Sequence, residues 1–135
     1  MKIALVYPRL SHQLHGLWAP LGITLLGTIL KREGHEVLLL DGSFDPDLSR
    51  IIAAIGRFAP EVVAVSCSTD LMPSGELVLA AAKQSGCLTI AGGPHPTILP
   101  RETLRHPAVD LVVIGELEAT LPDLLSALAG GRDPG

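Results

Sequence analysis

Short runs of apolar, β-branched residues alternate along this chain with segments whose apolar positions recur at helical spacing. The apolar runs are Lys2–Tyr7, Glu36–Leu40, Glu61–Ser66, Leu88–Ala91 and Leu111–Ile114. Each is nearly continuous rather than alternating, the pattern of parallel strands buried on both faces. The segments between them read as helices. Pro20 to Glu33 is apolar almost all round and stops at Gly34, with a proline tolerated in its first turn. Leu48, Ile51, Ile52 and Ile55 form a single stripe, with Asp45 or Asp47 available as a cap. Ser74 to Ser85 ends at Gly86, and Thr97 to Arg105 is interrupted by Pro100. Leu121, Leu124, Leu125 and Leu128 mark a last helix before Gly130-Gly131.

Five strands alternating with helices imply right-handed crossovers and an α/β fold. The expected architecture is a doubly wound five-stranded parallel sheet, flavodoxin-like or Rossmann-like, with helices on both faces and strand order 2-1-3-4-5. That order reverses direction between strands 1 and 3, and ligands of such sheets sit in the crevice at the carboxyl ends of the strands there. The domain is expected over residues 1–129. Residues 130–135, Gly-Gly-Arg-Asp-Pro-Gly, have linker composition, as though the module belonged to something larger.

Composition narrows the function. With 135 residues the chain makes one domain, enough to bury about two-thirds of its unfolded surface. Hydrophobic residues at 47% against charged residues at 18% favour a sheet covered on both faces over a solvated bundle. Aromatics at 3% are too few for a base-stacking platform. A net charge of −4 disfavours nucleic acid and anionic membranes, which need a basic face. No apolar run approaches the roughly 18 residues of a membrane span. The amino terminus enters a strand without a cleavage site, which suggests a cytoplasmic protein. Cys67 and Cys87 fall at opposite ends of neighbouring strands and read as buried thiols, not a disulfide.

The loops at the carboxyl edge depart from a plain scaffold. The first, Pro8 to Ala19, has twelve residues, where such loops usually have about two to six. It carries Arg9, His12, His15 and Trp18. The third begins Ser66-Cys67-Ser68-Thr69-Asp70, hydroxyl residues that could bond a ligand or cap a helix. The fourth, Gly92-Gly93-Pro94-His95-Pro96-Thr97, has two glycines directly after a strand. They either admit a ligand to the backbone or supply a positive φ. The fifth, Gly115-Glu116-Leu117-Glu118, puts two carboxylates beside a helix start, which taken alone suits the helix dipole.

Familiar chemistries are missing. There is no G-x-G-x-x-G after the first strand and no P-loop. Strand 3 ends Val65-Ser66-Cys67, without the aspartate of a phospho-accepting receiver. The first loop is a poor phosphate cradle for a flavodoxin. His12 and His15 lack companion ligands at metal spacing. No C-x-x-x-C-x-x-C segment exists to hold an iron–sulfur cluster.

Several segments, taken in order, resemble a known family. They are Pro20-Leu21-Gly22 leading to Lys31-Arg32-Glu33-Gly34-His35-Glu36-Val37, then Leu40-Asp41, then Pro60 to Ser66. Gly92-Gly93-Pro94-His95-Pro96-Thr97 and Asp110 to Leu121 complete the set. Together they resemble the N-terminal cobalamin-binding domain of B12-dependent radical SAM enzymes, of methyltransferase or anaerobic cyclase type. The resemblance implies cobalamin as cofactor, with its corrin over the carboxyl edge of the sheet. Arg9, His12 and Trp18 would face the ring. Ser66, Thr69 and Thr97 would donate to the nucleotide tail, beside Gly92 and Gly93. His95, Pro96, Gly115 and Glu116 would complete the cofactor-binding set. No catalytic residue and no protein metal ligand is implied. The cluster and S-adenosylmethionine would belong to a radical SAM domain in cis or in trans.

Two departures stand out. The D-x-H-x-x-G pattern of methionine-synthase-like domains, whose histidine binds cobalt, is absent. Leu117 stands where the family more often has glycine. Two further readings are a stand-alone cobalamin carrier or sensor, and a flavodoxin-like nucleotide-binding or interaction domain.

Overall fold

The computed structural model describes residues 1–8, 19–45 and 47–131. Five parallel strands form one sheet of order β2-β1-β3-β4-β5, the arrangement the sequence predicts. They are β1 (Lys2–Tyr7), β2 (Glu36–Asp41), β3 (Val62–Ser66), β4 (Leu88–Gly92) and β5 (Leu111–Val112). Six helices connect and cover them: α1 (Leu21–Arg32), α2 (Ser49–Phe58), α3 (Met72–Gln84), α4 (Pro94–Ile98), α5 (Pro100–Leu104) and α6 (Leu117–Ala129). No helix among the described residues is long and apolar enough to cross a membrane.

The alternation of side chains along a strand sends successive residues to opposite faces. Ile3 and Leu5 of β1 therefore join Val62, Ala64 and Ile90 on one face, under Ile23, Leu26 and Leu30 of α1 and Leu121 and Leu125 of α6. Ala4 and Val6 join Val63, Val65 and Ala91 on the other, under Ile51 and Ile55 of α2 and Val78, Leu79 and Ala82 of α3. Each fully buried leucine or isoleucine contributes about 2 kcal/mol. The edge strand β2 is only half-buried along its length.

Three elements differ by more than one residue at an end from their sequence reading. The stretch expected from Thr97 and interrupted at Pro100 is two short helices: the first already begins at Pro94 after Gly93, and Leu99, the residue before Pro100, leaves helical geometry between them. The third helix starts earlier than Ser74, at Met72, since Pro73 suits a first turn. Strand β5 is shorter than Leu111–Ile114. It lies at the sheet edge, and the chain turns out at Gly115 with φ +83°. The N-cap of α2 is Leu48 rather than Asp45 or Asp47, yet both aspartates satisfy first-turn donors: Asp45 Oδ2 accepts from Ile51 N–H at 3.1 Å, and Asp47 Oδ1 accepts from Ser49 N–H at 3.0 Å.

The amino edge of the sheet carries a structural carboxylate. Asp110 Oδ2 accepts from the backbone N–H of Thr89 at 3.0 Å and from its hydroxyl at 2.9 Å. Its other oxygen pairs with Lys83. Burial pushes the Asp110 pKa up, but the bonds from Lys83 and Thr89 outweigh it and hold the carboxyl below its ordinary range. A group depressed in this way stabilises the fold above its unfolded pKa, about 3.9. That contribution is lost as pH falls through the folded value. Asp110→Asn should therefore lower the melting temperature at pH 7. Thermal denaturation across pH should show its deficit shrinking below about pH 4, and a deficit that stays constant would contradict this assignment.

Candidate functional site

The carboxyl ends of β1, β3 and β4 meet where the strand order reverses, between β1 and β3. The segment after β4 controls this rim. Cys67 N–H donates to Gly92 O at 2.8 Å, and His95 N–H returns a bond to Cys67 O at 3.0 Å. The two backbones are so close that a Cβ on Gly93 would lie 2.9 Å from both Cys67 N and Cys67 O. Gly93 also has φ +100°, so both the conformation and the space demand glycine. Of the two roles the sequence leaves open for this residue, the structure shows the positive φ.

Side chains of the same segment tie in two further loops. The Thr97 hydroxyl donates to Gly93 O at 2.8 Å and accepts from Gly115 N–H at 3.0 Å. The ring nitrogen Nδ1 of His95 lies 3.1 Å from the hydroxyl oxygen of Thr69. His95 and Pro96 are themselves buried in α4. The Gly-Gly-Pro-His-Pro-Thr run is thus a clasp holding the loops after β3, β4 and β5 in fixed register.

Beneath the clasp opens a cleft of about 140 Å³ between the sheet edge and α1. Ser66, Gly93, Gly115 and Glu116 line it, together with Pro94, Leu117 and Glu118. The opposite wall is Gly22, Ile23 and Leu26. The structure therefore brings together four residues singled out from sequence: Ser66, Gly93, Gly115 and Glu116. Thr69, His95 and Thr97 lie beside them but bond to the chain's own loops. Gly92 lies beneath Leu117, whose Cδ1 is 2.6 Å from where a Gly92 Cβ would stand. Arg9, His12, His15 and Trp18 lie outside the described residues.

The α1 wall is missing from the sequence reading, because Ile23 and Leu26 have the spacing of core residues and are also core residues. Tyr7 is a second omission. It ends β1 at the switch point and is the chain's only tyrosine. Burial, then the charges of Asp70 and Asp41 and the neighbouring Cys67, raise its pKa, so the phenol stays protonated and can donate. Its place as the last residue of the first strand is the signal that could have identified it. Cys67 is fully buried, and burial reinforced by Glu76 pushes its thiol up to about 12. It is no nucleophile at neutral pH. Both cysteines are free, and the described residues contain no group of three or more His, Cys, Asp or Glu able to hold a metal.

Among the described residues, the narrow cleft bounded by the clasp is the space this edge of the sheet offers a ligand. The family model of the B12 binding domain matches residues 10–125. The chain belongs to the B12 binding domain family. This B12-binding domain is 35% identical, over 98% of its length, to an uncharacterized methyltransferase from Pyrococcus horikoshii, of which it covers 30%. It is 31% identical, over 84% of its length, to the anaerobic magnesium-protoporphyrin IX monomethyl ester cyclase of a Synechocystis species, covering 24% of that protein. A similar fold occurs in OxsB, described as a cobalamin-dependent S-adenosylmethionine radical enzyme with aqua-cobalamin and S-adenosylmethionine bound. That likeness has a TM-score of 0.72 at 21% identity, over 98% of this chain and 19% of OxsB. The domain spans less than a third of either curated relative.

The clasp makes a stability prediction. Gly93→Ala forces a β-carbon into a positive-φ position against the Cys67 backbone, at a cost of roughly 1–3 kcal/mol. Urea denaturation should show that loss, and a variant within about 0.5 kcal/mol of wild type would show that the contact relaxes freely.

Proposed function

We propose that this domain holds a corrinoid over its carboxyl rim for chemistry shared with a radical S-adenosylmethionine domain, of methyltransferase or cyclase type, in the cytoplasm. The observation that carries the reading is the clasp above a cleft at the switch point of a B12-binding family member. A flat ring needs a pre-set rim, and its appended tail needs a slot beside it. The clasp over the loops after β3, β4 and β5 supports the first, and the cleft between α1 and the start of α6 supports the second.

The residues present fit such a group. The Ser66 hydroxyl would bond the tail, with Gly93 and Gly115 beside it and Ile23 and Leu26 offering an apolar wall; the Gly93 carbonyl and the Gly115 N–H stay paired with Thr97. The protonated Tyr7 phenol is a donor at the switch point. Arg9, His12 and Trp18, from the long first loop, are the candidates to face the ring. Thr69, His95 and Thr97 act through the loops they bind, keeping donors in position without reorganisation on binding. Bound cobalamin supplies the cobalt-centred chemistry that no side chain of this domain can perform. The domain's part is to orient the ring and exclude water from its sheet side. The radical S-adenosylmethionine domain would lie in the same polypeptide, as the span of the relatives suggests, or in a partner chain.

Mixing the purified protein with hydroxocobalamin and passing it through gel filtration tests the reading. The protein peak should carry the visible cobalamin spectrum in stoichiometric amount. Colourless protein after saturating, anaerobic loading would contradict it.

A further inference from the structure

We propose that the solvent face of α1 is the contact surface of a weak homodimer, in which two copies of this chain pack their α1 helices antiparallel. The proposal concerns a second copy of the chain and stands apart from the corrinoid reading.

The helix turns one apolar face inward, where Ile23, Leu26 and Leu30 are buried in the core. A helix with only water over its opposite face is expected to be polar there. Instead Leu21 and Leu25 stand 74% and 55% exposed. Thr24 and Thr28 lie beside them in one shallow, open groove with Gly22 and Glu118. The threonines add to its apolar character. The Thr24 hydroxyl donates to Pro20 O at 3.0 Å and the Thr28 hydroxyl to Thr24 O at 2.9 Å. Both hydroxyls are thus occupied within the helix, and the methyl groups remain for packing.

Charge selects the occupant. Leu21, Leu25, Thr28 and Arg32 fall on one stripe of the helix surface. The stripe is acidic at its start, where Glu118 Oε1 lies 3.7 Å from the place of a Gly22 Cβ. It is basic at its end, with Lys31 and Arg32 in the last turn. Among the described residues none of these three charges has an ion-pair partner. A second copy laid antiparallel, with the twofold axis between Leu25 and Thr28, sets Leu25 against that copy's Thr28. The same rotation brings Glu118 to the second copy's Lys31 and Arg32, twice by symmetry. Antiparallel helix dipoles also attract. A parallel arrangement would set like charge against like. One helix of 12 residues offers less than the roughly 1,200 Å² of a standard interface, so the dimer is weak, dissociating on the order of tens of micromolar.

Sedimentation velocity of the 135-residue chain between about 5 and about 300 µM tests the dimer, because association follows mass action. The sedimentation coefficient should climb from monomer toward dimer across that range. Leu25→Glu should weaken association roughly tenfold or more, since each dimer loses the burial of two leucines. Circular dichroism should show that variant folded, because the side chain is already exposed in the single chain. Arg32→Glu should weaken the dimer severalfold by setting Glu118 against a carboxylate, and adding Glu118→Arg should restore it. A chain that stays monomeric to the top of the range overturns the proposal and leaves the stripe to another domain. A dimer unmoved by Leu25→Glu, or one that the double charge reversal does not restore, overturns the antiparallel α1 contact.

Discussion

Everything at the rim depends on how closely two stretches of backbone approach each other at the ends of β3 and β4. Cys67 and the Gly92–His95 segment exchange two hydrogen bonds, and the space where residue 93 would carry a Cβ belongs to the Cys67 backbone. Because the contact is backbone to backbone, it does not depend on a flexible side chain finding its place. Thr97 and His95 extend it outward to Gly115 and Thr69. Three loops from three strands are thereby set relative to one another before any ligand arrives. Such preorganisation lowers the ordering cost of binding.

The sheet separates stability from function along its own axis. Its two faces are closed by α1 and α6 on one side and α2 and α3 on the other. The amino edge is tied by Asp110, Thr89 and Lys83. The carboxyl edge instead collects glycines, prolines and hydroxyl residues, which fill little space and leave polar groups near the surface. Cys67 marks the boundary. It is sealed in the core, with its thiol kept neutral, while its backbone belongs to the rim.

Much of this was legible in the sequence, for physical reasons. Buried parallel strands read as apolar runs, and β1 to β4 are found where those runs lie. Strand β5 is shorter than its run because Ile114 is apolar yet 60% exposed, and hydrophobicity alone cannot distinguish an edge from an interior. Gly92 and Gly93 were visible as unusual, but local composition cannot say what fills the space beside them. One faces Leu117 and the other Cys67, both contacts between distant parts of the chain. Thr69, His95 and Thr97 had the right chemistry to donate to a ligand, and their actual partners emerge only once the loops are assembled. The α1 wall of the cleft was hidden for the opposite reason, since Ile23 and Leu26 serve core and cleft with one apolar face.

The central claim is that the carboxyl rim, set by the clasp, is where a corrinoid rests. Amide chemical-shift mapping of labelled protein during titration with hydroxocobalamin tests it most directly. The account predicts the largest changes at Ser66, Gly93, Gly115 and Leu117, with Glu36, Glu61 and Leu88 at the opposite edge unmoved. Saturable binding whose shifts centre on that opposite edge, or on the outer faces of the helices, would contradict it.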